Sequence, residues 1–169
     1  PLRAYDKNDK VISIKSFSKI LMPGLRIGFM EMPIFVRKVI SRIKYTMAIS
    51  TSSFTQLSLY YYMTYFGWKN HLDIIREIYE TRFGIAKKYL DNNFDKKVTF
   101  RNASGGVNFF GSLPKDYSSI DLRYYLESIG INILEGTLFY YNIKSENEFR
   151  ISIAHMLEKD IEKNLDKLN

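Results

Sequence analysis

Residues 15 to 28, KSFSKILMPGLRIG, put an amine, two hydroxyls and a guanidinium into one short stretch: Lys19, Ser16, Ser18 and Arg26. An amine attacks a carbonyl as the free base, a form that neighbouring cations and partial burial favour. Lys19 is expected in that setting, with Arg26 brought near it by a turn. Met22-Pro23-Gly24-Leu25 suits such a turn, Pro23 fixing its φ and Gly24 free to take a positive φ. The guanidinium then faces the loop it left. Guanidinium forks grip oxyanions through paired bonds and serine hydroxyls add short donors. A phosphate on a molecule that also bears a carbonyl would satisfy all four side chains.

These residues need two strands to hold them. KVISIKS (10 to 16), with its β-branched residues, reads as a buried strand, and LRIGFME (25 to 31) as a second, so that the two flank the motif. Pro33 opens an amphipathic helix over 33 to 47, with Phe35, Val36, Val39, Ile40 and Ile43 on its apolar side and its cations facing away. Ser52 and Ser53 are caps for a helix over about 53 to 66. Its Phe54, Leu57, Tyr61 and Tyr65, with aromatics on other faces, predict burial around much of its circumference, as core or subunit interface. Gly67 ends it. A long helix from about Lys69 to Asn93 follows, with a length that suits a bridge between two lobes.

After DNNFDKK (91 to 97) the texture changes to short strands, at 98 to 100, 107 to 113, 131 to 134 and 149 to 153. A helix from Ser119 to Ile129 stopped by Gly130, and a last helix with Leu157, Ile161, Leu165 and Leu168 on one face, complete a compact α+β lobe. The whole chain is thus α/β in class. Internal repeats and low-complexity tracts are absent from the sequence.

The pattern Ser16-x-Ser18-Lys19 followed by Pro23-Gly24-x-Arg26-x-Gly28 resembles the lysine signature of fold-type-I aminotransferases, which use pyridoxal 5'-phosphate. The resemblance implies that Lys19 holds the cofactor as an aldimine and shuttles a proton, while Ser16, Ser18 and Arg26 hold its phosphate. Arg26 follows Lys19 by seven positions, a spacing similar to that of the branch with aminoadipate and kynurenine aminotransferases and their regulatory relatives. The segments GGVNFFGSLP (105 to 114), GINILEGTLFYYN (130 to 142) and EFRISIAHMLEKDIEKNLDKL (148 to 168) resemble the small domain of the same family. There the arginine of the R-[IL]-S strand, here Arg150, binds the substrate's α-carboxylate. One departure stands out: Glu135 replaces the proline that usually precedes the glycine of that loop. Asn108 reads as an ordinary strand asparagine.

The resemblance implies the end of a large cofactor-binding domain over 1 to 67, then the bridging helix and the small α+β domain over 68 to 169. It also implies that the ring-stacking aromatic, the carboxylate on the pyridine nitrogen and a helix N-terminus for the phosphate precede residue 1. The segment alone is therefore expected neither to bind the cofactor tightly nor to transaminate, and its opening PLRAYDKNDK reads as the middle of a longer chain.

Composition narrows the classes. With 169 residues, 46% hydrophobic and 25% charged, the chain can bury a real core. A net charge of +7 invites a nucleic-acid reading, but the basic residues alternate with acids along helices, so solvated helix faces are expected instead. LYYYMTYFGW (59 to 68) is too short and too tyrosine-rich to span a bilayer. The lack of cysteine fits a cytoplasmic protein. His71 and His155 lack metal-ligand spacing, so no metal site is expected, and Trp68 reads as a packing anchor. Two functions stay open. One is an aminotransferase moving an amino group between an amino acid and a 2-oxo acid. The other is the cofactor- or amino-acid-sensing effector domain of a GntR/MocR-type regulator, reaching DNA only through a domain outside this segment. Both imply a homodimer.

Overall fold

The computed structural model describes residues 2–94, 98–142 and 145–168. The chain divides into two units, Pro1–Ile75 and Arg76–Asn169.

In the first unit, β1 (Ser13–Ser16) pairs antiparallel with β2 (Gly28–Glu31), Ser16 lying opposite Gly28 and Ser13 opposite Glu31. β1 is shorter than its apolar run because Asp6 captures the chain ahead of it. The Asp6 carboxylate accepts the N–H groups of Val11 at 2.8 Å, Lys10 at 2.9 Å and Asn8 at 3.1 Å, and pairs with Arg3 at 2.7 Å. Residues 8 to 11 wrap the carboxylate instead of joining a ladder. The bonds from Val11 and Lys10 hold the Asp6 carboxyl at about 2. Nor is β1 buried as expected: Ile14 is 72% exposed, because a two-stranded ribbon leaves both faces open unless another layer covers it.

α1 (Ile34–Ala48) follows Pro33, and α2 (Ser53–Tyr65) is capped by Ser52, whose hydroxyl accepts the Thr55 N–H at 3.3 Å. Both helices form where periodicity places them, yet their apolar faces stay open. Phe35, Val39 and Ile43 of α1 are exposed, and α2 buries Leu59 while Phe54, Leu57, Tyr61 and Tyr65 stay exposed. Within this chain α2 therefore does not serve as core, the first of its two expected roles. Its aromatics stack along the helix, Tyr61 on Tyr65 at 5.8 Å and Tyr62 on Phe66 at 6.2 Å. Gly67, at φ +70°, takes the left-handed turn that separates α2 from α3 (Trp68–Asn93).

The second unit has a four-stranded antiparallel sheet in the order β3-β4-β6-β5, made of β3 (Thr99–Phe100), β4 (Asn108–Ser112), β5 (Leu134–Glu135) and β6 (Glu148–Ser152). Alternation sorts the strands into two faces. Phe109, Phe149 and Ile151 point into a core with Ala86 and Leu90 of α3, Leu126 of α4 (Ser119–Ser128), and Ile161 and Leu165 of α5 (Ile161–Asp166). Gly111 sits under this core, where an added Cβ would lie 2.6 Å from the Phe149 ring. Phe110 and Arg150 share the other face, directly opposite each other. β5 is shorter than the expected 131 to 134, and α5 starts at Ile161, not Leu157. Residues 158 to 160 form a tight helical turn, and Arg82 binds Glu158 at 2.6 Å and the Ala154 carbonyl at 2.7 Å. Residues 95–97, the end of DNNFDKK, lie outside the described residues.

A polar knot ties β6 to its neighbours. Glu148 accepts from Arg101 and from the Tyr140 hydroxyl, each at 2.5 Å, and from the Ser145 hydroxyl. Burial opposes ionisation of Glu148, but the bonds from Ser145, Tyr140 and Arg101 outweigh it and hold the carboxyl at about 2, below its ordinary 4.5. A carboxyl lowered on folding adds stability that is complete above its unfolded value and lost as pH falls through the folded one. The contribution of this knot should therefore fade between about pH 4.5 and pH 2. Since Arg101 is largely exposed, the loss should be on the order of 2 kcal/mol. Denaturant midpoints of Glu148→Gln and the natural protein, followed across that range, should converge as the pH drops.

Candidate functional site

The corner between β1 and β2 gathers the predicted phosphate ligands. Ser16 ends β1, and its hydroxyl lies 3.0 Å from that of Ser18 while accepting the Ser18 N–H at 3.2 Å. The chain then makes a hydrogen-bonded turn, Leu21 N–H to Phe17 carbonyl at 2.9 Å, which carries Lys19. Pro23–Leu25 forms a tight helical turn, and the reversal into β2 is made by Arg26 at φ 49°, ψ 40°. The sequence assigns the positive φ to Gly24; the structure gives it to Arg26, because Pro23 starts a right-handed turn that Gly24 continues. Gly28 is required for another reason. A Cβ there would stand 2.5 Å from the Lys15 carbonyl, so the close pairing of the two strands depends on its absence.

Ser16, Ser18 and Arg26 line one cavity of about 1110 Å³. Its charged lining is Arg3, Lys15, Arg26, Arg37, Lys44 and Asp9, a strongly positive balance. Arg3 is held by Asp6 and Asp9, and Lys15 lies 3.6 Å from Glu31. Among the described residues no ion pair holds Arg26, Arg37 or Lys44, so the cavity favours an anion. Sequence reasoning leaves Arg37, Ser41 and Lys44 on the solvated side of α1. Their spacing of four and then three residues, one helical stripe, is the signal that they share a wall.

Lys19 is exposed rather than partly buried, and it is not among the residues lining this cavity. The structure therefore brings Ser16, Ser18 and Arg26 together and sets Lys19 on the adjoining turn. That turn is fixed from behind. Phe17 is buried with Ile27 and Leu59, its ring 6.0 Å from Trp68 and 5.9 Å from Phe29.

Arg150 lies in the other unit, at the middle of β6, opposite Phe110 on β4 and Leu134 on β5. Its guanidinium sits over the Phe139 ring at 4.9 Å, and its Nε is buried without a hydrogen-bond partner among the described residues. The carboxylate two positions away, Glu148, is spent on Arg101. Glu135, the departure from the family pattern, ion-pairs with Arg123 at 2.7 Å. Gly136 next to it has no room for a side chain, since a Cβ would lie 2.6 Å from the Glu148 carbonyl. A planar cation on an aromatic shelf, with an orphaned donor, is suited to a carboxylate.

Comparison with known proteins shows an aminotransferase-like domain. No protein-family model matches the chain. Its homologues are aminotransferases and HTH-type transcriptional regulators. It is 28% identical to aromatic-amino-acid aminotransferase 1 of Thermococcus litoralis, over 99% of this chain and 40% of that protein. It is 29% identical to the uncharacterized HTH-type transcriptional regulator YdfD of Bacillus subtilis, over 99% of this chain and 34% of that protein. Among solved structures, LysN, the α-aminoadipate aminotransferase of Thermus thermophilus complexed with N-(5'-phosphopyridoxyl)-L-leucine, superimposes with a TM-score of 0.89 at 24% identity. That match covers 99% of this chain and 43% of LysN. The fold is that of the C-terminal portion of a pyridoxal-phosphate-dependent aminotransferase, and the chain spans about 40% of the length of such relatives. Among the described residues, no helix is long and apolar enough to cross a membrane.

Proposed function

We propose that this chain is the part of a pyridoxal-phosphate-dependent aminotransferase that grips the cofactor phosphate, supplies the reactive lysine and holds the substrate carboxylate. The observation that carries the reading is the corner formed by Ser16, Ser18 and Arg26: two hydroxyls 3.0 Å apart in a positive cavity, where no carboxylate pairs with the arginine among the described residues. Such a donor set fits a phosphate dianion. When bound, the cofactor supplies an electron sink that makes the substrate Cα–H acidic. The Nζ of Lys19 takes the proton from Cα and returns it during amino-group transfer between an amino acid and a 2-oxo acid. Arg150 holds the substrate's α-carboxylate through its planar fork.

In this reading residues 1 to 67 end a large domain, and residues 68 to 169 are a bridging helix and a small domain. The protein acts in the cytoplasm as a homodimer whose exposed α2 aromatics supply contact surface. A second reading has a specific support: the YdfD regulator matches across 99% of this chain at 29% identity, beside 28% for the Thermococcus litoralis enzyme. There the same residues bind cofactor or amino acid as a signal, and DNA is reached through another domain.

Borohydride reduction of the whole gene product with pyridoxal phosphate, followed by peptide mapping, tests the shared core of both readings. A pyridoxyl group on Lys19 is expected; one on a different lysine would sink the assignment. The intact mass then separates the two. About 10 kDa beyond an aminotransferase body, the size of a further domain of roughly 100 residues, favours the regulator.

A further inference from the structure

One side chain that the proposed function leaves unassigned reaches the turn bearing Lys19. His71, on the first turn of α3, lies with Nε2 2.6 Å from the Ile20 carbonyl, across 51 positions of sequence. A carbonyl only accepts, so Nε2 carries the hydrogen and donates. The ring has little freedom. Trp68 stacks on it at 5.7 Å and 19°, Tyr62 meets it edge-on at 5.7 Å and 86°, and the His71 backbone N–H is tied to the Gly67 carbonyl at 3.0 Å. Trp68 in turn packs on Phe17, the residue whose carbonyl closes the lysine turn through Leu21. The turn is therefore held at two points: Phe17 in the core and Ile20 on the imidazole.

We infer that His71 is a positioning residue for Lys19, its Nε2–H fixing the Ile20 peptide so that the lysine backbone presents the amine in one place. This rests on the proposed role of Lys19. The physical need is plain. A lysine side chain has four rotatable bonds, so the amine returns to the same spot only if the Cα that carries it does not move. A displacement of about 1 Å costs on the order of 100-fold in a positioned reaction. The Ile20 carbonyl and the Leu21 N–H belong to one peptide plane, one residue beyond Lys19, so His71 at the carbonyl and Phe17 at the N–H hold that plane from its two ends.

The test uses the whole gene product and three variants. His71→Gln keeps an amide donor near the Nε2 position, His71→Asn places its amide too short to reach, and His71→Phe keeps the stacked ring without a donor. Two quantities are read: deuterium exchange of the amides over 18 to 21, and the rate at which Lys19 is labelled by pyridoxal phosphate with cyanoborohydride. His71→Phe and His71→Asn should exchange at least about tenfold faster over those amides and label Lys19 about 10- to 100-fold more slowly. His71→Gln should stay within about threefold of the natural protein in both. Exchange and labelling unchanged in His71→Phe would overturn the inference. So would His71→Gln failing together with His71→Phe, or all three variants losing the fold, since the ring would then serve packing alone. If the natural protein never labels Lys19, the functional reading fails, while the exchange data still decide whether His71 holds the turn.

Discussion

Replacing Lys19 with alanine in the whole gene product is expected, under the proposed function, to lower amino-group transfer by about 10⁴-fold or more, because in that proposal one Nζ serves both as the attaching amine and as the proton carrier. Lys19→Arg should be no better. Its guanidinium keeps the charge but stays protonated, so it can neither attack a carbonyl nor accept a proton from Cα. Cofactor affinity should fall much less than turnover in both variants. Ser16, Ser18 and Arg26 remain in their cavity, and Gly28 still lets β1 lie against β2. Single-turnover kinetics with an amino donor, alongside a cofactor titration, check the split. Natural turnover in Lys19→Ala would remove the lysine from the chemistry altogether. If the protein is a regulator, the same substitution should abolish borohydride-fixed cofactor while leaving reversible binding measurable.

That Ser16, Ser18 and Arg26 meet at one corner was legible because the information for it is local. Ser16, Ser18, Lys19 and Arg26 lie within eleven positions, and hydroxyls, turn residues and guanidinium have roles that follow from their own chemistry. Helix positions were legible for the same reason, as periodicity and the Ser52 cap act over a few residues. Burial was not. The apolar stripe of α1 and the aromatics of α2 read as buried, the latter in core or subunit interface, yet periodicity shows only that a face is apolar, not which surface covers it. The extents of β1 and α5 also escaped, since they are set by Asp6 taking the N–H groups of Val11 and Lys10 and by Arg82 reaching Glu158 and Ala154. Arg82 acts across more than seventy positions, and no local rule contains that distance. His71 escaped for a similar reason: with neither metal spacing nor a motif around it, a lone histidine shows its purpose only once the chain brings Ile20 to its ring.

Arg150 offers the second large effect, and it has a signature that a purely structural arginine would not give. Its Nε is buried with no partner among the described residues, a state that costs a folded protein about 1–3 kcal/mol. Its planar group lies on Phe139, held flat for a partner that this sheet does not supply. A substrate carboxylate would provide two charge-assisted bonds, each worth roughly 1.5–3 kcal/mol. Arg150→Met should therefore reduce kcat/KM by about two to four orders of magnitude, most of it through KM. The same variant should unfold at an equal or higher temperature, because methionine can cover Phe139 without burying an unpaired donor. Arg150→Lys keeps the charge but lacks the fork, and should lose about 10- to 100-fold in affinity for the amino donor. Thermal melts and substrate titrations of the two variants measure both arms. If Arg150→Met melts several degrees lower and keeps its KM, Arg150 is a packing residue of β6 and the carboxylate site lies elsewhere.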